Sequence, residues 1–179
     1  MLIRHAEKQP DDPPGPPPHG VNADGVQSKH SLIVHGWQRA GALVRFFCEP
    51  SGDTPIEPPD WIYATKVDAN PTAGDDSKSR RPQETVTPLA LALDLPVNTP
   101  YVVGEEAQVA AEIASRSGVV LVAWEHKHIP LITAALGAHT PSVWPDDRFD
   151  MVWVLTPHGE RYHFAQVNQS LLAGDAATD

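Results

Sequence analysis

The chain has 179 residues, 41% of them hydrophobic and 20% charged, with a formal net charge of −10. That is enough apolar material for one core and one domain of ordinary globular composition. The acidic balance argues against general nucleic-acid binding, which draws on a basic face. No apolar run approaches the roughly 20 residues of a membrane span, and the first residues lack the basic, apolar and small-residue succession of a signal peptide. The expectation is a cytoplasmic protein with no nucleic-acid or membrane partner. Cys48 is the single cysteine, so no intramolecular disulfide can form.

Along the chain, Leu2-Ile3-Arg4-His5 reads as the end of a short buried strand that delivers Arg4 and His5 to a loop. Only three residues precede Arg4, so this strand is expected to be very short or to lack its start. Gln9 to Pro18 is too rich in proline for a helix or an inner strand and is expected as a stiff loop; a polyproline spacer is the alternative. From Gly36 to Phe47 the apolar residues Trp37, Ala40, Leu43, Val44 and Phe47 recur at helical spacing, and Pro50 ends that pattern. Trp61 to Thr65 is a short aromatic and β-branched run that predicts a buried strand.

The polar stretch Lys66 to Lys78 predicts a loop, after which Ser79-Arg80-Arg81-Pro82 opens a helix whose inward face is Val86, Leu89, Ala90 and Leu93. Asp94 to Pro100 is a loop or short strand, and Glu105 to Ser115 carries a weaker helical pattern. Val119 to Ala123 is apolar throughout, as in the middle of a parallel sheet, and runs into Trp124-Glu125-His126-Lys127-His128. Pro130 opens a helix that Gly137 ends. Met151 to Leu155 and Tyr162 to Val167 predict a hairpin turned by Pro157-His158-Gly159. A tail over residues 174–179 is expected to be disordered, which leaves 1–173 as a single domain. Strands alternating with helices predict an α/β/α three-layer sandwich, with a mostly parallel central sheet and an antiparallel edge strand.

Three strand-to-helix junctions carry unusual chemistry: Arg4-His5, Arg80-Arg81 and Glu125-His126. In a parallel sheet such junctions share one rim, where ligands bind. Guanidinium groups and imidazoles converging there make an anion site, and a neutral imidazole can attack phosphorus. Cations at a helix N-terminus oppose the helix dipole, which marks Arg80 and Arg81 for another use. Taken alone, each junction also reads as a surface arginine or a satisfied histidine.

Over nearly its whole length the chain resembles the histidine phosphatase (phosphoglycerate mutase-like) superfamily. Arg4-His5-Ala6-Glu7-Lys8 is similar to the family's Arg-His-Gly or Arg-His-Ala-Glu signature. Gly36, Gln38 and Ala40 resemble its first helix, Ile62 to Thr65 the strand before its second arginine, Arg81-Pro82-Gln83-Glu84-Thr85 its Arg-Ala-x-x-Thr helix start, and Val119 to His126 the strand ending in its second histidine. The resemblance implies His5 as a nucleophile that forms a phosphohistidine, Arg4, Arg81 and His126 as a clamp on the phosphoryl oxygens, and no metal or other cofactor. It also implies an acidic proton donor in the region after the second helix, where Glu105 and Glu106 stand. Glu105 is preferred because it follows the Gly104 turn and Glu106 is expected to face outward.

Glu125-His126-Lys127-His128 departs from the usual Ser-His-Gly, and the loop from Lys66 to Lys78 is longer than the family pattern. That loop and the Pro-rich one are expected to select the substrate, with Lys8 and Lys78 adding charge. The reading is a metal-independent phosphomonoesterase acting on a small phosphorylated substrate. Its alternatives are a phosphate-binding domain without turnover, a phosphomutase, and a metal hydrolase using His126 and His128, for which no third ligand stands at a convincing spacing.

Overall fold

A computed structural model describes residues 1–10, 17–50, 52, 54–67, 79–159 and 161–177. In chain order the elements are β1 (Leu2–Arg4), α1 (Val34–Cys48), β2 (Trp61–Ala64), α2 (Arg81–Leu93), β3 (Val97–Asn98), α3 (Glu106–Ala114), β4 (Val120–Trp124), α4 (Ile129–Ala135), β5 (Met151–His158) and β6 (Arg161–Asn168). The six strands form one sheet in the order β3-β2-β4-β1-β5-β6. The first four run parallel, while β5 and β6 are an antiparallel hairpin added beside β1. The antiparallel margin is therefore two strands wide.

Alternation along each strand sorts side chains to opposite faces of the sheet. Ile3, Ile62, Ala64, Leu121 and Ala123 pack with Leu43 and Phe47 of α1 and Val86 and Leu89 of α2. Leu2, Tyr63, Val122 and Trp124 pack on the other face with Val109 and Ala110 of α3 and Ile129 and Ile132 of α4. Because β4 is covered on both faces, its sequence is continuously apolar rather than alternating. The result is an α/β/α sandwich, as the sequence predicts.

Two expectations need correction. The hairpin does not turn at Pro157-His158: both residues pair in the ladder, Pro157 with Tyr162 and His158 with Arg161. The expected disorder of residues 174–179 also fails for Asp175. Its carboxylate accepts from Arg39 Nη2 at 2.6 Å and Nη1 at 3.0 Å, and from the Leu171 and Leu172 N–H groups. Arg39 is nearly fully buried, and two partly fixed carboxylates, Glu7 and Asp175, compensate its charge. Among the described residues no helix is long and apolar enough to cross a membrane.

Candidate active site

Register places the junctions level with one another. Arg4 pairs with Trp124 and Ala64 with Ala123, so His5, Thr65 and Glu125 emerge on one rim at the carboxyl ends of three parallel strands. The His5 N–H donates to the Trp124 carbonyl at 3.1 Å, continuing the ladder past β1. Gln83 Nε2 donates to the Thr65 carbonyl at 2.9 Å, which docks the start of α2 on the same rim. His5, Lys8 and Arg81 thereby line one cleft with Thr65, Ser79, Pro82, Val103 and Glu125. Two polar loops expected beside it lie largely outside the described residues, over 11–16 and 68–78, and Lys78 with them.

The His5 ring is buried, and its Nδ1 lies 2.7 Å from the Ala6 carbonyl. A carbonyl only accepts, so Nδ1 carries the proton and Nε2 keeps a lone pair. Burial, and then the charges of Arg81, Arg4 and Lys8, hold the imidazole well below its ordinary pKa against the opposing pull of the Ala6 carbonyl. Gly36 lets α1 approach this loop, because a Cβ there would meet the Glu7 carbonyl oxygen at 2.5 Å. Arg81 is oriented by Ser79, whose Oγ accepts from its Nε at 2.9 Å.

Arg4 and His126 are buried but are not among the described residues lining the cleft. The segment before β5 holds both. Arg4 Nη1 donates to the Asp146 and Arg148 carbonyls, and its guanidinium lies 3.7 Å over the Phe149 ring. His126 Nε2 is 2.7 Å from Asp146 Oδ1, and Nδ1 is 2.7 Å from Glu125 Oε1. Asp146 is 84% exposed, so an exposed carboxylate occupies the outward nitrogen of a buried imidazole.

The carboxylates differ from expectation. Glu105 Oε2 accepts the Val102 N–H at 2.9 Å, closing its own turn. Glu106 does not face outward: it is buried, accepts from the Gly104 N–H and Trp124 Nε1, and lies 2.9 Å from His128 Nδ1. Neither lines the cleft among the described residues, whereas Glu125 does. Burial pushes the Glu125 carboxyl up, but the His126 contact, the charges of His126 and His128 and the Lys127 N–H outweigh it and hold the group below its ordinary range. Its sequence signal was its place one residue past a buried strand, immediately before His126.

No group of three His, Cys, Asp or Glu side chains among the described residues is arranged to hold a metal ion. A larger cavity of about 250 Å³ opens at the opposite end of the parallel strands, lined in part by Met1, Val119, Val120 and Leu155. No histidine is among the described residues that line it, whereas His5 lines the smaller cleft. No protein-family model and no curated protein matches the chain.

Proposed function

We propose that the protein is a metal-independent phosphomonoesterase that acts on a small phosphorylated substrate through a phosphohistidine at His5. The observation that carries this reading is the buried His5, with Nδ1 committed to Ala6, in a cleft it shares with Arg81 and Lys8. In the first half-reaction Nε2 forms a bond to phosphorus as the bond to the leaving oxygen breaks. In the second, water forms the new P–O bond as the N–P bond breaks. Arg81, braced by Ser79, and Lys8 offer positive charge to the phosphoryl oxygens, and such preorganised charge is the main requirement of this chemistry. Arg4 adds to the field that keeps His5 neutral. An arriving phosphoryl group competes with the Asp146 carboxylate for His126.

The test is hydrolysis of para-nitrophenyl phosphate with EDTA present, comparing the native protein with His5→Ala. Turnover that resists EDTA and disappears in the variant is the expected result. A native protein inactive from acidic to neutral pH on that substrate and a phosphomonoester panel overturns it. The second reading, a phospholigand-binding domain without turnover, draws on the engagement of Arg4 and His126 by residues 146–148. Phosphate binding without hydrolysis would favour it.

A further inference from the structure

We propose that Glu125 gives the leaving oxygen its proton, and that His128, held by Glu106, governs how readily Glu125 takes that proton up. The assignment rests on the phosphohistidine reading and adds to it the proton-handling groups. Among the described residues lining the cleft, Glu125 carries the one carboxylate. Its Oε2 accepts the Lys127 N–H at 2.9 Å, and its Oε1 contacts His126 Nδ1, so the group is fixed in direction.

Behind it runs a row of alternating acids and imidazoles. His128 Nε2 is 3.9 Å from Glu125 Oε2, a spacing that a bridging water or a small rotation closes. His128 Nδ1 is 2.9 Å from Glu106 Oε1, and Glu106 is itself fixed by Gly104 and Trp124. The side chain of His128 is 31% exposed, that of Glu125 14% and that of Glu106 7%, so His128 is the member of the row that reaches solvent. Glu125 also faces His5, Arg81 and Lys8 across the cleft, and through His126 it is linked to Asp146.

In the free protein Glu125 is held as a carboxylate. A phosphoryl anion entering the cleft opposes that charge and draws one proton onto it. As the His5 N–P bond forms and the bond to the leaving group breaks, this proton passes to the leaving oxygen. In the second half-reaction the carboxylate removes a proton from water as the water oxygen bonds to phosphorus and the N–P bond breaks. Phosphate leaves, the proton taken from water is released with it, and Glu125 returns to the carboxylate of the free protein.

The experiment compares kcat/KM for para-nitrophenyl phosphate, whose leaving group departs with little help, and for glycerol phosphate, whose alkoxide needs a proton. For Glu125→Gln the expected loss is about 10²–10⁴-fold on glycerol phosphate and under about 10-fold on the aryl ester. For His128→Gln the alkaline limb of the glycerol phosphate profile moves to higher pH, because the imidazole beside Glu125 that favours its carboxylate is gone; a purely structural role leaves that limb in place. If Glu125→Gln does not fold, Glu125→Asp keeps an acid one methylene shorter and shows the same contrast in smaller measure. Equal losses on both substrates, no loss on either, or a selective loss in Glu105→Gln overturns the assignment alone. Absence of His5-dependent turnover in the native protein overturns the phosphohistidine reading and this assignment with it.

Discussion

Thr85 joins the loop that carries His5 to the helix that carries Arg81. Its Oγ1 accepts the Ala6 N–H at 2.8 Å and donates to the Arg81 carbonyl at 2.7 Å, and both Thr85 and Ala6 are fully buried. Because the Ala6 carbonyl in turn holds His5 Nδ1, one hydroxyl fixes two candidate catalytic groups relative to each other.

Replacing Thr85 with Val keeps the shape and removes the hydroxyl, leaving the Ala6 N–H buried without its acceptor. The expected cost is about 1–3 kcal/mol, read as a lower urea midpoint at unchanged slope. The proposed phosphatase turnover should fall with it, and Thr85→Ser should recover both. A Thr85→Val protein as stable as the native one would show that the hydroxyl is dispensable.

Arg81 is, after burial, the largest influence keeping His5 unprotonated. In Arg81→Ala the His5 titration followed by NMR should therefore move upward, toward the ordinary histidine value, while inhibition by inorganic phosphate weakens by at least about 10-fold. The linkage has a definite sign. The unfolded chain protonates His5 below about pH 6.5 and the folded one does not, so His5 opposes folding increasingly as pH falls below that point and not above it. Guanidinium unfolding of native protein and His5→Asn should show the variant gaining relative stability between pH 7 and pH 5. A gap independent of pH would contradict the buried neutral imidazole.

Asp175 has its carboxyl lowered to about 2; burial opposes ionisation, and the hydrogen bonds from Arg39 and from the Leu172 and Leu171 N–H groups outweigh it. A depressed acid contributes stability that is present above its unfolded value, near 3.9, and is lost as pH falls through the folded value. Asp175→Asn should lower stability by about 1–2 kcal/mol at pH 7, after allowance for solvent screening. The difference should close as pH approaches 2. Since Arg39 also grips Glu7 at 2.7 Å, the loop after β1 should exchange its amide hydrogens faster in the variant. Unaltered stability at pH 7 would reduce the contact to a surface pairing.

The sandwich was legible in the sequence because its inner strands β2 and β4 are short and apolar throughout. Val120–Trp124 lies in the middle of the sheet with both faces covered, and that burial is what makes a strand readable as an unbroken hydrophobic run. Glu106 was misread for the opposite reason. Its helix pattern is weak, and its inward direction depends on Trp124 and His128, which belong to other elements. Residues 174–177 have the composition of a loose tail, and the distant Arg39, together with the Leu171 and Leu172 N–H groups, gives Asp175 a fixed place.

By itself the sequence determined which residues can carry the chemistry and that they end up on one rim. Strand periodicity places Arg4-His5 and Glu125-His126 at carboxyl ends, and parallel pairing then brings those ends level whatever their separation along the chain. Only the tertiary structure decided which of those groups face the cleft. His5, Arg81 and Glu125 line it, while Arg4 and His126 meet the segment before β5, because contacts such as Arg4 to Asp146, 142 positions apart, and His126 to Asp146, 20 apart, leave no period in the sequence.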